Sequence, residues 1–101
     1  MKVFISQPMS GRNWGDVLLE RTKITIAMLE RFGEDTVILD SIFVQNPNKK
    51  PLEYLGEAII LMAQADIVVV APGWTDSRGC VIEVQCAIEY GINEIIYLKE
   101  V

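Results

Sequence analysis

The chain contains no histidine and only two cysteines, and these absences remove whole classes of chemistry. Without imidazole there is no Ser-His or Cys-His nucleophile, so acid and base roles fall to carboxylates, tyrosine, lysine or water. Cys80 and Cys86 lie on one expected helix with no histidine to complete a familiar zinc set. They read as small packing residues in a reducing compartment, and no metal is expected. Positive charge is scarce as well. Nine basic against fourteen acidic residues leave a net charge of −5, and Lys49-Lys50 is the one basic cluster, which argues against a nucleic-acid polymer as partner. No apolar run approaches the roughly 20 residues of a bilayer span, so no membrane partner is expected. The strand-like Lys2-Val3-Phe4-Ile5 leaves no room for a signal peptide before it, so a cytoplasmic location is expected. Neither a Walker loop nor a G-x-G-x-x-G fingerprint occurs. ATP hydrolysis and dinucleotide redox chemistry therefore lack sequence support, and no cofactor is expected.

What is present is a regular alternation of strands and helices, uninterrupted by linker, repeat or low-complexity tract. Half of the 101 residues are hydrophobic, enough for one domain spanning residues 1–101 with a modest core. Val3 to Ser6 reads as a first strand, followed by the loop Gln7 to Arg12. From Trp14 to Phe32, Val17, Leu18, Ile24, Met28, Leu29 and Phe32 recur at helical spacing until Gly33 stops the helix. Thr36 to Leu39 forms a second strand with Asp40 at its end, and Ser41 to Lys50, with Asn46-Pro47-Asn48, a loop. Pro51 suits the first position of a helix whose core face is Leu52, Leu55, Ile59 and Met62. Ala65 to Pro72 carries a buried strand to a Pro-Gly break, a helix follows that Gly91 closes, and Glu94 to Leu98 is the last strand. This order implies an α/β three-layer sandwich, flavodoxin-like or Rossmann-like, with a parallel sheet of about four strands and helices on both faces. Its ligand crevice is expected between the first and third strands, beyond their carboxyl ends.

Two polar loops would then face each other. The first offers Ser6, Gln7, Met9, Ser10, Gly11 and Arg12, a grip for a phosphate or sugar hydroxyls or else a solvated turn with an incidental arginine. The second runs Gly73-Trp74-Thr75-Asp76-Ser77-Arg78-Gly79 into a helix. Ser77 is the expected N-cap, and the unpaired N–H groups behind it favour an anion. Glu83 lies nearly two turns into that helix, in an otherwise apolar stretch. A solvent-facing strip would account for it, but Gln85 and Glu89 already supply polar positions. A side chain one turn after Gly79 leans back toward the loop. The helix terminus is expected to keep Glu83 ionised, as suits a nucleophile. Trp74, Trp14 and Tyr54 either stack on a ligand ring or pack at the rim. Asp66 reads as structural, bonding backbone.

Ile5-Ser6-Gln7-Pro8-Met9-Ser10-Gly11, the strand opening Ala65-Asp66, and Ser77-x-Gly79-x-x-x-Glu83 with Ala87 and Gly91 resemble the nucleoside 2-deoxyribosyltransferase superfamily. The resemblance spans nearly the whole chain, with distinctive motifs at its two ends, and is nearest to small phage and bacterial members with a similar Pro-Gly-Trp, Ser, Gly, Glu run. It implies that Glu83 attacks C1′ of a 2′-deoxyribonucleoside or its 5′-monophosphate to give a covalent deoxyribosyl-enzyme, which a second base or water resolves. A serine at the place of Ser77 is similar to the nucleotide hydrolase branch, where it helps bind the 5′-phosphate. The transferase branch usually has Asp there, and this chain has Asp76 one residue earlier. Asp40, Glu53, Glu57 and Asp76 are the candidate acids for the departing base. The family's base-binding acid falls at about Ala58, with Glu57 adjacent.

The resemblance also implies a site completed by a neighbouring subunit. The apolar faces of the second and third helices point the same way, to a homodimer or larger homo-oligomer. Two other classes stay open: a nucleotide-binding or sensor module without catalysis, and an assembly protein in which Glu83 makes an intersubunit contact.

Overall fold

The computed structural model describes residues 1–42 and 46–101; the part of the expected loop at 43–45 lies outside the described residues. The chain runs β1 (Lys2–Ser6), α1 (Trp14–Phe32), β2 (Val37–Ile38), α2 (Pro51–Met62), β3 (Ile67–Val70), a 3-10 turn (Trp74–Asp76), α3 (Arg78–Glu89) and β4 (Glu94–Tyr97). The four strands form one sheet in the order β2-β1-β3-β4, and every pair is parallel. β1 and β3 are thus central and buried on both faces, which accounts for their continuous apolar runs.

The connection through α1 moves one way along the sheet, whereas those through α2 and α3 move the other way. Right-handed crossovers then put α1 on one face and α2 with α3 on the other. The pleat sorts the core accordingly. Val3, Ile5, Ile67 and Val69 pack with Ile24 and Met28 of α1. Phe4, Val68 and Val70 pack with Ala58 and Met62 of α2 and with Val84 and Ala87 of α3. The result is the three-layer α/β sandwich expected from the alternation.

Helix ends follow the local chemistry. The Asn13 side chain accepts from the Asp16 N–H to open α1, and Gly33 ends it with φ 103°, a conformation that side chains disfavour. Pro51 stands in the first turn of α2. Strand pairing extends past the formal strand ends: the Leu39 N–H donates to Val3 O, Ala71 N–H to Ser6 O, and Leu98 N–H to Val70 O, each at 2.9 Å. The Asp66 carboxylate accepts from the Lys2 N–H at 2.7 Å, the backbone role expected of it.

One expected core face is corrected. Ala58 and Met62 are the buried residues of α2, Leu55 and Ile59 are half-buried, and Leu52 is 74% exposed. At about 100° per residue, Leu52 stands roughly 80–120° around the helix from Met62 and Ala58. The short Ala58, not a leucine, lets α2 approach Phe4 and Val68.

Candidate functional site

Beyond the carboxyl ends of β1 and β3, the pleat decides which loop residue faces which helix. Ser6, the last residue of β1, lies on the same face as Phe4, and its fully buried hydroxyl donates to Oε1 of Glu83 at 2.6 Å. Gln7, next in the chain, faces α1 instead: its Nε2 donates to Val17 O at 2.8 Å and to Oε1 of Glu20 at 3.0 Å. Arg12 joins that side, its Nη1 donating to Pro8 O at 2.9 Å and to Oε1 of Glu20 at 2.8 Å. Gln7 and Arg12 are therefore engaged by α1, across the sheet from Glu83. Met9 closes the turn with its carbonyl accepting from the Arg12 N–H, while Ser10 and Gly11 are exposed at the tip.

α3 begins as expected. Ser77 is its N-cap, the hydroxyl accepting from the Cys80 N–H at 3.4 Å, and Gly73 (φ 80°) starts the 3-10 turn before it. Gly79 has no left-handed backbone, and a Cβ built on it meets nothing within 4 Å. The packing of the chain itself thus does not require glycine at 79. Arg78 and Asp76 are exposed. Glu83 is half-buried, and burial pushes its pKa up while the Ser6 hydroxyl draws it down, with burial the larger effect. That direction corrects the expectation that the helix terminus governs this carboxyl. Burial likewise pushes the Cys80 thiol up, against the Ser6 and Ser77 hydroxyls, so a neutral thiol sits between the two serines.

The remaining candidates fall elsewhere. Trp74 packs against the α2–α3 side of the core and tilts 40° onto Tyr97, ring centroids 5.6 Å apart. Glu57 pairs with Lys49, which in turn lies over the Tyr54 ring. Glu53 accepts from the Lys50 N–H, and Asp40 from the Ile42 N–H. Ala58, at the expected place of a base-binding acid, is buried in the core. Hollows open elsewhere on the described surface. One of about 400 Å³ is lined by Arg12, Asp16, Glu20, Lys23, Pro72 and Lys99 among others, and one of about 280 Å³ by Ile59, Met62, Ala63, Cys86, Tyr90 and Ile92. Glu83 lines neither.

Sequence reasoning missed Arg21, buried on α1 with Nη2 donating to Leu39 O at 3.1 Å and to the Ser41 hydroxyl at 2.8 Å; Ser41 in turn donates to Ile5 O. Burial lowers its pKa, against Asp40. The signal was available: Val17, Arg21, Ile24 and Met28 are the buried stripe of α1, and an arginine in such a stripe needs partners. Arg21 ties β1 to β2 just behind Ser6. Glu20, the hub for Gln7 and Arg12, was missed too.

The chain belongs to the family described as a domain of unknown function (DUF4406), whose model matches residues 1–97. No curated protein and no solved structure matches it. Among the described residues, no helix is long and apolar enough to cross a membrane.

Proposed function

We propose that this DUF4406 chain cleaves or transfers at the N-glycosidic bond of 2′-deoxyribonucleosides or their 5′-monophosphates, with Glu83 as nucleophile. The observation that carries the reading is the Glu83 carboxyl itself: half-buried, raised in pKa, and held at 2.6 Å by Ser6 beyond the two central strands. A carboxylate short of solvent is a stronger base than a solvated one, and its charge is fixed where oxocarbenium-like charge develops on the sugar. A Glu83 oxygen bonds to C1′ as the C1′–N bond breaks, and the electron pair leaves with the base, which takes a proton from Asp76. Water or an acceptor base then attacks C1′ and gives its proton back to Asp76, while the bond from C1′ to the Glu83 oxygen breaks and its electron pair returns to the carboxylate.

The resemblance of the Ser77-x-Gly79-x-x-x-Glu83 run supports this assignment, and the start of α3 supports a monophosphate. The unpaired first-turn N–H groups and the Ser77 hydroxyl suit a phosphate. The room over Gly79 lets it come close. Asp76, exposed beside Ser77, is the acid assigned to the departing base. A cytoplasmic setting fits the two free cysteines.

Copies of the chain assemble, on this proposal, through α2 and α3, where Leu52 (74%), Ile60 (72%), Ile88 (56%) and Tyr90 (87%) are exposed. Sedimentation showing a monomer at micromolar concentration would exclude this assembly. One observation favours a second reading, a binding module without turnover: Ala58 is buried, Glu57 is paired with Lys49 and Glu53 accepts from the Lys50 N–H, so each acid of α2 is already engaged within the chain.

The test is incubation of wild type and Glu83→Ala with each deoxynucleoside and deoxynucleoside 5′-monophosphate, with and without an acceptor base, with chromatography of free base and exchanged product. Release or exchange by wild type and not by the variant is the expected result, and it separates hydrolysis from transfer. Intact substrates at high wild-type concentration, with a thermal shift on ligand addition, would favour the binding module.

A further inference from the structure

β1 is apolar from Val3 to Ile5 and then places one fully buried hydroxyl, Ser6, at its end. A buried hydroxyl requires a partner, and this one has found the carboxylate assigned as nucleophile. The backbone of Ser6 is fixed in turn, its carbonyl accepting from the Ala71 N–H at 2.9 Å and its strand paired with β3. The donor is therefore set by the central sheet, while the acceptor sits on α3, a separate element.

We propose that Ser6 is the positioning residue of Glu83 rather than a ligand for substrate: it holds Oε1, so that Oε2 is the oxygen that bonds to C1′. The inference rests on the reading of Glu83 as nucleophile. Once Oε2 is bonded to C1′, Oε1 is the carbonyl oxygen of the ester and still accepts from Ser6. When water or an acceptor base attacks C1′, the C1′–Oε2 bond breaks, its electron pair returns to the carboxylate, and the same hydrogen bond stabilises the returning charge. The groups that act on Glu83 are burial and the Ser6 hydroxyl. The other titratable group at this point, Cys80 of the same helix, is held neutral by its burial, so no second anion competes for the Ser6 proton.

The test reads Glu83 without any substrate. Protein labelled with ¹³C at glutamate carboxyls is titrated by NMR as wild type, Ser6→Ala and Ser6→Thr, with Glu83→Gln assigning the resonance. Loss of a hydrogen bond to a charged group moves the Glu83 midpoint up by about one pH unit in Ser6→Ala, and the hydroxyl of Ser6→Thr restores the wild-type midpoint. With a deoxynucleotide that wild type cleaves, Ser6→Ala lowers kcat by roughly 10-fold or more with KM held, and the acidic limb of its pH profile follows the NMR midpoint. A Ser6→Ala midpoint equal to wild type, or a raised KM with kcat kept, overturns the inference. A shifted midpoint in a protein that cleaves no nucleotide upholds the Ser6–Glu83 coupling and overturns the reaction assigned to it.

Discussion

Replacing Glu83 by glutamine removes a titrating group while leaving an oxygen able to accept from Ser6, and the structure dictates how stability must respond. Burial raises the Glu83 pKa in the folded protein, against the smaller effect of Ser6. The folded state thus binds this proton more tightly than the unfolded chain, in which a glutamate titrates near ~4.3. The protein carries no cost from Glu83 below that value. It loses stability as pH climbs from there to the folded-state pKa, and it bears the full cost above. A single group can change stability by at most about 1.4 kcal/mol per pH unit. Urea unfolding of wild type and Glu83→Gln across pH 4 to 8 reads the difference directly. Other titrations, including that of Glu20, are shared by both proteins and cancel. The variant gains on wild type with rising pH, never faster than that slope, and then holds a constant lead. A difference flat in pH, or a variant weaker than wild type at neutral pH, would refute the argument that burial outweighs the hydrogen bond.

Gly79→Ala separates packing from binding: a Cβ there meets nothing within 4 Å and the backbone is not left-handed. Stability is kept or raised, by up to about 1 kcal/mol, because alanine favours helix. Affinity for a deoxynucleoside 5′-monophosphate, measured by calorimetry, falls, whereas unchanged affinity would remove the phosphate from the start of α3. Glu20→Gln acts in the opposite pH sense to Glu83. Burial raises the Glu20 pKa, but the Arg12 and Gln7 hydrogen bonds and the Arg12 charge together outweigh it, so the net shift is downward. Its contribution is present above the unfolded value near ~4.3 and is lost as pH falls through the folded pKa. The pair is partly exposed, Arg12 at 31% and Glu20 at 17%, so the variant loses only about 1 kcal/mol at pH 7 and converges on wild type in acid, as read by urea unfolding.

Much of the fold was legible because its signals were local and redundant. Gly33, Pro51 and Ser77 each mark a helix end through their own side chain or backbone, and all three stand where such residues belong. The apolar runs of β1 and β3 could only be central strands of a parallel sheet. What was not legible depends on neighbours distant in sequence. Leu52 looked like core because the period of α2 is ambiguous among leucine and isoleucine. The small Ala58, buried against Phe4 and Val68, in fact selects the face. Arg21 could be suspected from its stripe, but its acceptors, Leu39 at the end of the second strand and Ser41 just beyond it, lie 18 and 20 residues away on an element that the period of α1 does not describe.

At the site, Ser6 and Gln7 carry the same lesson into function. As adjacent polar residues they looked alike, two members of one ligand loop. The pleat sends Ser6 to α3 and Gln7 to α1, so one meets Glu83 and the other Glu20. On the proposed reaction this segregation matters, because the nucleophile must also be a leaving group. Burial alone would make Glu83 a strong base but a reluctant leaving group from C1′. A hydroxyl that donates to Oε1 in both steps lowers the energy of the free carboxylate and eases its departure, at the cost of some attacking power. Had a glutamine stood in its place, the donor would have been a longer, more flexible amide arm. Ser6 is short, buried and fixed to the central strand, so the opposing effects of burial and hydrogen bonding act on Glu83 at one set distance.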